Sequence, residues 1–407
     1  MKCLLITRLY SGFELSLKNL VWNPEGVPTI YNLINKLSLT HDTSIIFTAK
    51  DSGKTYTSNW KKNKDVDLKI KNLDANIKVL SGVFYFPKII PRKVAMILRD
   101  FRQLIKVIQY IQCNKPQLIY CDSANIIVGF ILSKLYPNLP IVIRVLGVCS
   151  FWRSILKSKR FVHKIYKFAF KGHYSTVIGT QDGSGIEYWF NEVLKKNVSR
   201  YVLLNGVKNN KGIKKKVEQN KQILFVGRLE EYKGIIIFIK AIIKVLKSSQ
   251  QRISIIIIGD GTLFKEVISL CEKSGFRKKF KFLKSIPHKN VLKYHLNTDI
   301  YVSANTDGNL INTNLEAISS DACMIIPKPQ KEKLIDIKTY EFLKDSVLYY
   351  KVNDEDDLAK KIMFLLKSPD TIIYYKNKLA KYKKRFLRSW KERIDQEIKI
   401  LEALVKK

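Results

Sequence analysis

Residues 223–242 read ILFVGRLEEYKGIIIFIKAI. Four apolar residues run unbroken to Gly227, the pattern of a strand buried on both faces. A polar turn follows with Arg228 and Lys233 five residues apart, and Gly234 leads into a long apolar segment interrupted by Lys240. Strand, glycine turn and helix in that order make a βα unit. The turn then lies at the carboxyl end of a strand, where open α/β sheets bind ligands. Two cations there suit a diphosphate, the guanidinium as a planar fork and the ammonium as a point charge. The same pair also fits a solvated loop in a very basic chain.

Short apolar runs alternate with helical patterns on either side of this unit. CLLIT (3–7), TSIIFTA (43–49), QLIYCDS (117–123), PIVIRVLG (140–147) and STVIGTQ (175–181) read as strands of a first sheet. Patterns such as IYNLINKLS (30–38) and NIIVGFILSKLY (125–136) read as helices between them. A second series opens with QILFVGR (222–228) and continues through ISIIIIGDG (253–261), KFKFLKS (279–285), DIYVSA (299–304) and CMIIP (323–327). Strands alternating with helices predict parallel sheets. VKNNKGIKKKVEQNK (207–221) separates the two series, polar and without apolar periodicity, and reads as a linker. With 407 residues, two Rossmann-like domains facing each other across a cleft is the expected architecture.

The 73 Lys and Arg against 35 Asp and Glu leave a net charge of +38, spread over both halves. That favours anionic partners: phosphorylated substrates, an anionic membrane surface or nucleic acid. A composition biased toward Lys, Ile and Asn accounts for the same excess without a partner. No zinc-finger or RRM signature supports nucleic-acid binding. The six cysteines show no CxxC and no grouping with histidine, which argues for reduced thiols and against structural zinc. MKCLLITRLY is interrupted too early by Arg8 for a signal peptide, and no apolar run reaches the roughly 18 residues of a membrane span. The expected location is cytoplasmic, with attachment to a membrane surface as the one alternative.

Residues 305–323, NTDGNLINTNLEAISSDAC, interrupt the sheet pattern between DIYVSA and MII. They fall at the same sheet end as Arg228 and Lys233 and open a helix whose first N–H groups, at Asn312, Thr313 and Asn314, suit an anion. Glu316 in that helix suits a pair of vicinal hydroxyls, or merely the helix dipole. Gly259, in the turn IIGDGTL, is read as a place where a ligand approaches the backbone. DVD (65–67) is read as a loop and DEDD (354–357) as a helix start, both structural, and no metal or other cofactor is expected.

FVGRLEEYKG, IIGDGTL, FLKSIPHKNVLKYHLNTDIYVSA and LINTNLEAISSDACMIIP, in that order, resemble the donor domain of family-4 glycosyltransferases of the GT-B fold. LLNGV (203–207) resembles the end of that family's first domain. DEDDLAKKIMFLL and FLRSWKERIDQEI resemble its C-terminal helices, the last returning to the first domain. The resemblance implies domains at 1–207 (acceptor side), 208–221 (linker), 222–380 (donor binding) and 381–407 (returning helix). It implies a retaining transferase that takes a nucleotide sugar as donor and a glycan or lipid-linked molecule as acceptor. It assigns Arg228 and Lys233 to the leaving diphosphate and Glu316, as second glutamate of an E-x7-E motif, to the ribose. It assigns donor contacts to Gly26, Gly227, Gly259 and the run Asn309, Leu310, Ile311, Asn312 and Thr313. Bacterial surface polysaccharide or lipopolysaccharide synthesis is the implied setting. A sugar-nucleotide epimerase and a degenerate glycan-binding scaffold are the alternatives.

Two positions depart from the family pattern. The first glutamate of the motif would fall at Gly308, with Asp307 the adjacent acid, and Asp307 is expected to take its place. The family's histidine after the strand resembling IVIRVLG is replaced by Leu146, leaving Asp122, Ser123 or Arg144 to compensate. Two basic, amphipathic segments, 89–108 and 151–171, are candidates for an anionic membrane surface, or are simply exposed helix faces.

Overall fold

The computed structural model describes residues 1–50, 60, 64–82, 92–208, 221–284 and 286–406. Most of the expected linker, and residues 89–91 of the first basic segment, lie outside the described residues. The chain divides into two compact units. One comprises Met1–Thr180, Trp189–Leu203 and Lys391–Lys407, and the other Gln181–Tyr188 with Leu204–Trp390.

The described strands of the first unit are β1 (Lys2–Arg8), β2 (Asp42–Thr48), β3 (Val66–Ile70), β4 (Leu73–Leu80), β5 (Leu118–Asp122), β6 (Ile141–Val145), β7 (Thr176–Gln181) and β8 (Ser199–Leu204). They form one sheet in the order β3-β4-β2-β1-β5-β6-β7-β8. Pairing is parallel from β4 through β7, and β3 runs antiparallel on the edge. Every residue of β5 and β6 is buried, because helices cover a parallel sheet on both faces. The main helices are α1 (Ser11–Lys18), α2 (Pro28–Thr40), α3 (Arg92–Asn114), α4 (Ile126–Leu135), α5 (Ser150–Lys157), α6 (Phe161–Ala169) and α7 (Ile186–Val193). Pro28 sits at the first turn of α2, where its missing N–H costs nothing.

DVD is not in a loop. Asp65 precedes β3 and accepts hydrogen bonds from the Ser81 amide (2.7 Å) and from Arg102 (2.6 Å), while Asp67, within the strand, pairs with Lys78 at 2.7 Å.

The second unit holds β9 (Lys221–Val226), β10 (Ile253–Ile258), β11 (Phe280–Leu283), β12 (Ile300–Val302), β13 (Cys323–Pro327) and β14 (Leu348–Tyr350), in the order β11-β10-β9-β12-β13-β14, all parallel. Side chains alternate between two cores. Ile223, Phe225, Ile255, Ile257 and Val302 enter one, packed under α8 (Ile235–Ser248), α9 (Phe264–Lys273) and, later in the chain, α13 (Glu355–Lys367). Leu224, Ile256, Tyr301, Met324 and Ile326 enter the other. Its helices include α10 (His288–Asn297), α11 (Asn312–Ser319), α12 (Ile337–Leu343) and α14 (Pro369–Lys383). DEDD does open a helix: Asp354 caps α13 by accepting from the Asp357 amide at 2.9 Å.

The last helix, α15 (Trp390–Val405), belongs from Lys391 onward to the first unit. Glu397, fully buried, fixes it there: it accepts from Tyr120 Oη at 2.6 Å, pairs with Arg393 at 2.7 Å and lies 3.6 Å from Arg144 Nε. Burial alone would raise its carboxyl pKa; Arg393, Arg144 and the Tyr120 hydroxyl reverse that and hold it below the usual value. Removing the carboxylate leaves two guanidinium groups buried without their counter-charge. Glu397→Ala is expected to destabilise the first unit by about 3–5 kcal/mol in denaturant titration. The native stabilisation is present above the ordinary glutamate pKa and is lost as pH falls through the depressed value.

Candidate functional site

The site lies at the carboxyl ends of β9 and β12, neighbouring strands of the second unit. Beyond β9, Gly227 donates its amide to Ile258 O (3.0 Å) and the chain turns through Arg228 to Gly234. A Cβ at Gly227 would meet nothing closer than the Phe225 ring at 3.8 Å, so packing does not demand glycine there. Gly259 is different. A side chain on it would overlap the Gly227 carbonyl, and one on Gly261 would lie 2.5 Å from Leu229 O. The turn after β10 is glycine-rich because it crosses the turn after β9, which gives Gly259 a packing reason of its own. Thr262 Oγ1 ties the two turns by donating to Glu230 at 2.7 Å.

Arg228 and Lys233 share the ring of Tyr232. The guanidinium carbon is 5.5 Å from its centroid and Lys233 Nζ 5.1 Å, and Arg228 donates a hydrogen bond to the Tyr232 hydroxyl. Burial lowers the Lys233 pKa to about 8, Arg228 lowers it further, and Asp182 and Asp307 oppose the shift. Tyr232 carries no ordinary signature of a site in sequence; its role as the spacer between two cations is visible only in three dimensions.

The segment after β12 docks on that turn. Thr306 donates its amide to Tyr232 O (2.9 Å), and a side chain at Gly234 would overlap Ala304 O. This brings Asp307 within electrostatic reach of Lys233 and Tyr232, where sequence reasoning expected it. Gly308, the position of the family's first glutamate, has φ +132°, and a Cβ there would lie 2.6 Å from Asp182 O and 2.8 Å from Ser184 N. No side chain fits at this position, so the departure has a steric cause.

Asn309 and Leu310 are corrections. Asn309 is fully buried. Its Oδ1 accepts from Ser303 (2.7 Å), and its Nδ2 donates to Asp336 Oδ2 (2.6 Å) and Asn305 O (2.9 Å). Its backbone N–H goes to Asp336 Oδ1 (2.6 Å), so the amide is spent within the protein. Leu310 is core, and its N–H donates to Asp182 O at 3.0 Å. Ile311 caps α11 and Asn312, Thr313 and Asn314 form its first turn, with no side chain capping the helix start. The Asn312 side chain accepts from Asn205 at 2.8 Å, and Asn314 holds Asn309 and Tyr301. Glu316 is buried in the same helix, 3.8 Å from His295 Nε2.

Asp336 and Gly183, which sequence reading did not single out, support the loop at 307–310. Asp336 takes φ +61° at the start of α12, accepts from Asn309 and from Thr339 Oγ1 (2.6 Å), and donates its amide to Gly183 O (2.7 Å). Burial pushes its carboxyl up to about 6 despite those hydrogen bonds, and Asp182 adds to the rise. A Cβ at Gly183 would lie 2.5 Å from Asp336 Oδ1.

Gly26, Asp122 and Arg144 belong to the first unit. Gly26 has φ +93° in the loop before α2. Asp122 and Arg144 cannot replace the missing histidine. The Asp122 carboxylate accepts from Thr7, Arg8, Tyr10 and Asn125, and buried Arg144 donates to Val145 O, Ile178 O and Thr180. Among the described residues no group of three His, Cys, Asp or Glu could hold a metal.

Two outcomes follow. Gly308→Ala should cost at least about 2 kcal/mol in thermal unfolding, from overlap with Asp182 and Ser184. An anion at the cation pair requires Lys233 protonated, so binding of a phosphate ester already doubly ionised above about pH 7 should be level from there to about 8. Above that value it should weaken by up to about tenfold per pH unit, and Lys233→Arg should flatten the profile.

The sequence model of the family described as glycosyl transferases group 1 matches residues 207–386. No curated protein matches the chain in sequence. Among solved structures, sucrose-phosphate synthase from Thermosynechococcus elongatus superposes with TM-score 0.71 at 13% identity, covering 99% of each chain. Anabaena HepE in complex with UDP superposes with TM-score 0.68 at 16% identity, over 99% of this chain and 100% of that one. The lipopolysaccharide outer core galactosyltransferase WaaB, in its apo form, gives 0.60 at 15% identity over 99% and 100%. These likenesses establish the two-sheet α/β fold. The family model covers most of the second unit, and over the whole chain the fold is that of the GT-B structures.

Proposed function

We propose that this chain is a group 1 glycosyltransferase that moves a hexose from a nucleoside diphosphate sugar to a glycan or lipid-linked acceptor with retention of configuration, as a family-4 type enzyme. The observation that carries the reading is the meeting of the Arg228–Tyr232–Lys233 group with the Asp307 turn and the uncapped start of α11. The C1–O bond to the diphosphate breaks and its electron pair goes to the phosphate oxygen. Arg228, Lys233 and the first amides of α11 stabilise the charge that develops there. The acceptor hydroxyl attacks C1 on the same face and gives its proton to the departing phosphate, so no carboxylate nucleophile is needed. Glu316 accepts from the ribose hydroxyls and Asp307 orients the donor sugar. The chain's own cations meet the diphosphate charge, and the reaction is assigned no metal.

The structures of HepE with UDP and with UDP-glucose favour a nucleotide-sugar donor, and WaaB as a lipopolysaccharide outer core galactosyltransferase favours a surface-glycan setting.

Calorimetric titration with UDP, GDP, CDP and ADP tests the donor site. One diphosphate should bind selectively, and Arg228→Ala with Lys233→Ala should weaken it by at least about a hundredfold. Unchanged binding in the double variant overturns the phosphate assignment. Glu316→Gln should cost about tenfold for the nucleoside diphosphate and little for pyrophosphate; equal losses remove the ribose role. The anomeric coupling of the glycoside product reads retention directly, and donor consumed without acceptor would point to an epimerase.

A further inference from the structure

We infer that the outer faces of α3, α5 and α6, all in the first unit, form a surface that docks on an anionic lipid bilayer. This deepens the transferase reading, on which it rests only for its use: a lipid-linked acceptor would be met at the surface that holds it.

α6 turns Phe161, Ile165 and Phe168 outward at spacings of four and three, with Phe161 76% and Phe168 62% exposed. α3 does the same with Ile97 and Phe101, 68% and 60% exposed. A helix of a water-soluble surface turns such a stripe inward; here stripes on two helices stay outside. α5 and α6 adjoin. Tyr166 of α6 packs edge-on against Phe151 (5.3 Å) and Trp152 (5.7 Å) of α5. Asp100 and Arg99 of α3 are within electrostatic range of the Tyr166 hydroxyl.

The charge around these rings names the occupant. Residues 151–171 carry seven Lys and Arg and no Asp or Glu. Lys157, Lys159, Arg160 and Lys164 are exposed next to the outward rings. Apolar anchors ringed by cations are the chemistry of a helix lying in the headgroup region of an acidic membrane. No helix among the described residues is long and apolar enough to cross the bilayer, so the contact is with its surface. A second copy of this chain would bring the same basic face and the same +38 against it, which repels.

The test is flotation of the purified full chain with vesicles of phosphatidylcholine alone or with about one third phosphatidylglycerol. Binding should require the acidic lipid and fall with salt. Lys157→Gln with Lys159→Gln and Lys164→Gln, and separately Phe161→Ser with Phe168→Ser, should each reduce it at least about tenfold. UDP titration of the same variants should be unchanged, so a failed donor site and a failed docking surface are read separately. Phe161→Trp supplies a gain of signal: its emission should shift to the blue with acidic vesicles. No binding of the native chain, or salt-sensitive binding indifferent to the phenylalanine changes with no shift at position 161, overturns the proposal. So does an oligomer that the phenylalanine changes dissociate without any lipid dependence.

Discussion

Asp336 binds the amide and side chain of Asn309 from a place water does not reach, and the geometry of the site hangs on that contact. A buried carboxylate is costly unless hydrogen bonds surround it. Asn309 supplies two and Thr339 a third. The arrangement forces the chain at 307–310 into one path. Asp307 is thereby left facing the Arg228–Lys233 turn, and α11 starts at a fixed place. The stiffness of this loop comes from polar groups bonded to one another within the protein.

Around that fixed loop the cations are arranged for work. Arg228 and Lys233 are like charges on one short turn, and in water they would drift apart. The Tyr232 ring between them offers each a π face, and the Thr306 amide anchors Tyr232 from the β12 side. Partial burial of Lys233 lowers its pKa and sharpens its response to an incoming anion, because a desolvated cation gains more from a counter-charge than a hydrated one.

How much of this was legible in the sequence depended on where the physics is local. Strands β1, β5, β6, β9, β10 and β13 are runs buried on both faces, and uninterrupted apolar residues announce them. β3, with Asp67 and Lys69 facing outward on the sheet edge, hid among charged neighbours, and three-residue β14 was too short to show a period. The placing of Arg228 and Lys233 at a strand's carboxyl end was readable because an unbroken apolar run precedes them. Gly183 and Asp336 were not, since their partnership joins segments about 150 residues apart and exists only after folding. Asn309 misled for the opposite reason. An asparagine in a polar loop looks the same whether its amide faces a sugar or, as here, Ser303 and Asp336. Gly259 likewise marks a crossing of two turns that no local pattern encodes.

Gly308 has a consequence for how this sequence can change. The carbonyl of Asp182 and the amide of Ser184 occupy the space that any side chain at 308 would need. A lone codon change that placed an acid at 308 would collide with a segment far away in the chain, so it requires prior movement at 182–184. The loop and the segment against it are a locked pair, free to drift together and barred from drifting singly. Asp307, one residue earlier, carries the acid that position 308 cannot hold.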